Sequence, residues 1–191
     1  MRRSFIIIFL FLSSLLVFVA CTDHATSRFV ASMDTLYQQK PLAAIDSIDS
    51  FMARHGNVSR RNRMTLSLYR LRAQNSADIP FTSDSLAKEV AEYFDNHGNT
   101  NERMSAYYVL GSVYRDLDNF PEALKMFHKA ISMANEEKND IDYRLLYKIY
   151  GQNGDVLFLQ MAFNEASVSY KTAAQIASAN SDYLYELLAQ E

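Results

Sequence analysis

The residues able to do chemistry in this chain are few and scattered. Four histidines stand at positions 24, 55, 97 and 128, and the single cysteine is Cys21. No histidine has a second histidine or a cysteine at ligand spacing, so the paired-ligand pattern of a zinc site is absent and no metal is expected. Carboxylates occur in pairs at Asp46 with Asp49 and at Glu136 with Glu137. A general acid working with a general base needs a pocket to hold them. These pairs fall on helical faces or in a link, where ordinary solvation accounts for them. Gly151-Gln152-Asn153-Gly154-Asp155 resembles a ligand loop in composition, but the place of Gly154 in a sequence repeat, where it matches Gly111 at a displacement of 43, makes it a helix-packing residue instead. There is no Gly-x-x-x-x-Gly-Lys phosphate loop, no Gly-x-Ser-x-Gly elbow and no His-Glu-x-x-His pair. The expectation is a protein without catalysis and without a cofactor.

The elements that carry these residues begin with a separate N-terminal segment. Met1-Arg2-Arg3 is positive, Phe5 to Ala20 is an almost unbroken apolar run of 16 residues, and Val19-Ala20 precede Cys21. A spanning helix usually needs about 20 apolar residues, so an export signal over 1–20 is favoured over an uncleaved anchor. A lone thiol in an exported chain has no disulfide partner within it. The segment Phe18-Val19-Ala20-Cys21 resembles the lipobox of bacterial lipoproteins, although Phe18 departs from the usual Leu. The resemblance implies lipidation of Cys21, a short tether over 21–28, and, with Thr22 rather than Asp next to the Cys, delivery to the outer membrane of the cell envelope. Loss of Arg2 and Arg3 would leave 17 basic against 22 acidic residues. A net negative chain is not expected to bind nucleic acid by phosphate neutralisation. Arg60-Arg61-Asn62-Arg63 runs against that balance, and is either a solvated helix start or a docking patch for an acidic partner or lipid headgroup.

Only three Pro and five Gly in 191 residues, with helical periodicity almost everywhere after residue 33, predict one all-α domain over 29–191. Helices are expected over 29–38, 41–54 and 59–73, and after the Ile79-Pro80 break with Ser83 or Asp84 as cap. Pro41 suits a first helical turn, where its missing N–H is unpaired anyway. The stretch 103–135 is the most specific. Tyr107, Leu110, Gly111, Tyr114, Ala123, Phe127 and Ala130 match the pattern W-x2-L-G-x2-Y, A-x3-F and A of the tetratricopeptide repeat (TPR), with Tyr107 in place of the Trp. Small residues at Gly111 and Ala123 let two helices approach, and aromatic rings fill the seam beside them. Tyr150, Gly154, Phe163, Ala166, Tyr170 and Ala173 repeat six positions at a displacement of 43, giving a second unit over 142–180. The four helices before residue 100 look like degenerate repeats, which keep the apolar period and the small residues and lose the Gly and aromatic signature. A final amphipathic segment carries Tyr183, Leu184, Leu187 and Leu188, and is either a cap or the first helix of a further repeat.

Resemblance to TPR proteins implies antiparallel helix pairs stacked as a right-handed solenoid, with a concave groove lined by the first helix of each pair. Carried onto this sequence, the groove positions are Ser105, Tyr108, Ser112, Arg115 and Asp116 in one repeat, and Lys148, Gly151, Asp155, Phe158 and Leu159 in the next. The resemblance implies a lipid-anchored scaffold that binds a protein or peptide, with Tyr108 stacking and Arg115 hydrogen-bonding to it; solvent-facing or intramolecular roles for these residues are the competing account. Two other functions stay open. One is the sensor half of a larger membrane signalling protein, and the other a glycan-binding outer-membrane lipoprotein, which the absence of Trp disfavours.

Overall fold

The structure, a computed structural model, describes residues 26–136 and 141–180. Among these the chain is all-helical and has no strand. Helix α1 covers 26–39, followed by α2 (Pro41–Arg54), α3 (Arg60–Ser76), α4 (Ser85–His97), α5 (Thr100–Asp116), α6 (Phe120–Glu136), α7 (Tyr143–Leu159) and α8 (Phe163–Ala179). Residues 26–28, expected in a tether, already belong to α1, and Thr26 is buried. The signal segment, Cys21 and the 182–188 segment lie outside the described residues. No helix among those described is long and apolar enough to cross a membrane.

The chain divides into two compact units after Ala73, inside α3. In the first unit α1, α2 and α3 share a core with two parts. Met33, Ile48, Phe51, Val58 and Leu66 form one, with Phe29 stacked on Phe51 at 4.0 Å between ring centroids. Tyr37, Ala44 and Ala73 form the other, where Tyr37 stacks on Tyr69 at 5.1 Å. Pro41 does occupy the first turn of α2. Arg70 holds both oxygens of Asp49, at 2.6 and 3.0 Å, which raises the Arg70 pKa.

In the second unit neighbours in sequence are neighbours in space: α4 packs on α5, α5 on α6, α6 on α7 and α7 on α8, with α5 also touching α7. Val90 and Phe94 of α4 are buried beside Ala87 and Ala91, as the periodicity of that helix requires. Asp84 makes no side-chain cap; its carboxylate pairs with Lys88, and Ser83 Oγ accepts from the Ser85 N–H at 3.3 Å.

Three first helices are built alike. Ser59, Asn99 and Asp142 each accept, through a side-chain oxygen, the N–H three residues on, at 3.3, 2.9 and 2.9 Å. A 17-residue helix follows each of them (α3, α5 and α7). Each then stops with a left-handed residue, Asp78, Asp118 or Met161, at φ 53°, 56° and 59°. The bonds are those of a Schellman stop: Ile79 N–H to Gln74 O, Asn119 to Tyr114 and Ala162 to Leu157, with the left-handed residue donating to Asn75, Arg115 and Phe158 respectively. Helices α7 and α8 start and end 43 residues after α5 and α6.

Candidate functional site

The expected groove positions separate into a buried half and an open half. On α5 the positions are filled from within. Ser105, Tyr108 and Ser112 are buried, the last completely. Tyr108 Oη accepts from Asn75 Nδ2 at 3.0 Å, and Ser112 Oγ lies 3.0 Å from Tyr108 O and 2.7 Å from Gln152 Oε1. One hydroxyl proton serves those two acceptors. Arg115 donates from Nε and Nη2 to Asp116 Oδ1 at 2.9 and 2.7 Å, and from Nη2 to Asn75 Oδ1 at 3.4 Å. The other carboxylate oxygen of Asp116 accepts from the Phe81 N–H at 3.1 Å, so it ties the 81–84 connector to the end of α5.

Tyr108 and Ser112 are therefore interior residues rather than open groove positions, and Arg115 with Asp116 is a partly covered internal pair. The physical reason is the neighbouring α7, whose Gln152 reaches Ser112, together with Asn75 at the end of α3. Buried polar groups of this kind are expected to be hydrogen-bonded. Ser105 Oγ is the exception here, with no hydrogen-bond partner among the described residues.

On α7 the equivalent positions open outward. Lys148 and Gly151 are half-buried, and Asp155, Phe158 and Leu159 are exposed. A Cβ added at Gly151 would meet nothing within 4 Å, so packing does not require glycine there. Three residues further on the case reverses. A Cβ at Gly154 would sit 2.6 Å from the Tyr170 ring, as one at Gly111 would sit 2.5 Å from Phe127. Both glycines are helix-seam residues, and the ring each admits comes from the partner helix of its own pair.

Tyr170 also donates its hydroxyl to Asp155 Oδ1 at 2.8 Å. Desolvation first, and then this hydrogen bond and the carboxylate charge, push its pKa up to about 12. Asp155 is fixed by the bond and keeps further acceptor capacity toward solvent. Behind it Asn153 Nδ2 donates to Ser169 Oγ at 3.0 Å, and Ser169 donates to Tyr150 O.

Phe158 and Leu159, expected in the groove, Phe163, a repeat position, and Met161, expected at a core-like position but exposed, come together at the turn after α7. Phe158, Leu159, Met161 and Phe163 are 56–77% exposed, and Phe158 meets Phe163 edge-on at 5.4 Å. At the same places in the α5 turn stand Arg115, Asp116, Asp118 and Phe120. One backbone turn thus presents charge in one repeat and apolar surface in the next. The signal in the sequence is the charge-free run from Val156 to Asn164, combined with Met161 at the position where the other turns have Asp.

Among the described residues no group of three His, Cys, Asp or Glu is placed to hold a metal ion. The open face combines an ammonium, a carboxylate and aromatic and aliphatic side chains, which is chemistry for holding a chain by contact. Comparison with known protein families, curated proteins and solved structures returns no match for this chain.

Proposed function

We propose that the protein is a TPR-like scaffold, lipid-anchored through Cys21 at the bacterial envelope, that binds a protein or peptide without catalysing a reaction. The observation that carries this reading is the open face of α7 within an otherwise register-true repeat. Lys148, Asp155, Phe158 and Leu159 stand at the positions by which TPR helices hold their ligands, and the α7 turn adds Met161 and Phe163. The exposed part of those four apolar side chains is on the order of 400 Å². That is within the range of the largest apolar patch on a typical monomer, which is often functional, and suits one apolar anchor segment of a partner. A peptide with an apolar core and a cation toward Asp155 matches the face in shape and sign. The α5 positions take a supporting role in this proposal, since their polar atoms are spent on Asn75, Phe81 and Gln152.

The test is capture from envelope extracts by the full chain, comparing wild type with a Phe158→Ser, Leu159→Ser double variant and with Tyr108→Phe. A partner lost with the double variant and retained by Tyr108→Phe is the expected result. Equal retention by all three proteins would move the binding site away from α7. Lipidation is tested separately, by incorporation of labelled palmitate into the wild type and its loss in Cys21→Ser.

A further inference from the structure

We infer that the arginine-bearing end of the first unit docks on the anionic phospholipid headgroups of the membrane that the N-terminal segment reaches. The first unit is basic while the chain is acidic. Between residues 26 and 73 there are eight Lys and Arg against three Asp, a net of +5, whereas residues 74–191 carry nine against eighteen, a net of −9. Arg28, Arg54, Arg60, Arg61 and Arg63 are all exposed.

The fold gathers these five at one end. Phe29 stacks on Phe51 and Phe51 on His55, which sets the start of α1 beside the end of α2, and Val58, just before α3, belongs to the same cluster. Arg28, Arg54 and the three arginines opening α3 therefore come from three helix ends that meet. The three acids of residues 26–73 are placed elsewhere along the helices, and Arg60 and Arg61 also have partners within the protein. Asp49 is held by Arg70, Asp34 acts on Tyr69, and Asp46 precedes Arg54 by two turns of α2. The first turn of α3 contains no acidic residue, so its arginines add to the positive end of the helix dipole. An anionic surface complements exposed cationic groups so placed.

The chain outside the described residues selects the bilayer as that surface. It enters the first unit at Thr26, at this same end. Thr26 is five residue steps from Cys21, which is at most about 18 Å of chain. Whether the apolar segment is removed at Cys21 or kept, the end nearest the membrane is the basic one. Clusters of four or more arginines beside a membrane attachment are attracted to anionic lipid over about one Debye length.

The inference rests on the proposed membrane attachment, and the experiment separates the two. The full chain is reconstituted with vesicles of phosphatidylcholine, and with vesicles carrying about 30% phosphatidylglycerol. Co-sedimentation and amide hydrogen exchange are followed in both. Co-sedimentation with both vesicle types reports attachment. The expected signature of docking is a several-fold slowing of exchange over 26–33 and 54–64 on the anionic vesicles only, erased at about 0.5 M salt, with 155–165 unchanged.

The variant R60Q/R61Q/R63Q is expected to lose the composition dependence while keeping its helical circular dichroism. If it loses helicity, the salt dependence of the wild type decides. Attachment to both vesicle types with identical exchange would overturn docking and leave attachment standing. Absence from phosphatidylcholine vesicles together with salt-sensitive capture by anionic ones would overturn attachment and support docking. Slowing by inorganic phosphate alone, on phosphatidylcholine vesicles, would overturn the bilayer as the ligand in favour of a free anion.

Discussion

Three glycines on two equivalent helices show how little residue type alone says about role. Gly111 and Gly154 admit an aromatic ring from the paired helix, and Gly151 faces open space. Gly111→Ala should therefore cost roughly 1–2 kcal/mol, because overpacking against Phe127 outweighs a helix-propensity gain of about 1 kcal/mol. Gly151→Ala should stabilise by about 0.5–1 kcal/mol. Gly154→Ala should fall between them, since the partly exposed Tyr170 ring has room to move. Urea midpoints of the three variants check the order, and equal shifts would refute the assignment of seam and surface.

The tyrosines make a second prediction at this scale. Burial first, and then bonds to Asp34 and Asp95, raise the pKa values of Tyr69 and Tyr107; burial raises Tyr150, and Tyr170 reaches about 12. Each side chain is neutral when protonated, and the folded state holds its proton longer than the unfolded chain does. The stability they contribute is complete below pH 10, where unfolded tyrosine begins to ionise, and is lost as pH rises through the folded values. Melting temperature should fall between about pH 10 and 12 in step with tyrosinate absorbance, and Tyr170→Phe should reduce that fall.

Elements here are defined as much by their ends as by their faces. A side-chain cap, a 17-residue helix and a left-handed stop recur at α3, α5 and α7. Asp tolerates the left-handed region through its short polar side chain, and Met161 does not share that tolerance. Met161→Asn should stabilise the protein by about 0.5–1 kcal/mol, and a lower melting temperature would contradict the reading of strain. The seam between α5 and α6 offers a larger effect. Phe127 and Ala123 are completely buried. Phe127→Ala should cost about 3–5 kcal/mol through its cavity, and Ala123→Phe about 1–3 kcal/mol through overpacking, both read by denaturant unfolding.

Helix α8 shows how an element adapts to an open face. Where α6 has Leu124, Met126 and Phe127, α8 has Ser167, Ser169 and Tyr170. Tyr170 stays 40% exposed where Phe127 is fully covered. Ser167 and Tyr170 lower the cost of leaving that face in water, whereas Ser169 is buried and bonds to Asn153 and Tyr150.

For the whole molecule, charge is the quantity that sequence averages conceal. A chain of net charge −3 contains a first unit that is strongly basic over its described residues. At pH 7 and low salt the full chain should be retained on a sulfonate cation exchanger despite an isoelectric point near 5.8. R60Q/R61Q/R63Q should elute at lower salt. Flow-through of the wild type would show that the arginines do not act together, since exposed charges reinforce one another only within about a Debye length.

The sequence by itself determined the helical class, the seam glycines and the boundaries of α2, because these depend on contacts within one helix or between adjacent ones. Period, capping residues and the six matches displaced by 43 carry that local information. It marks the four helices before residue 100 as degenerate repeats, but not the left-handed stop after α3, which Asp78 reaches without glycine. Tertiary structure alone decided which groove positions are open. Tyr108 and Gly151 occupy the same repeat position, yet one is sealed by Asn75 on α3 with α7 alongside its helix, and the other faces solvent. Exposure depends on which element lies over a residue, and periodicity within a helix carries no term for what packs on its outer side. The gathering of Arg28, Arg54 and Arg60 to Arg63 has the same origin, since 35 residues of chain return to one place only when the core around Phe51 closes.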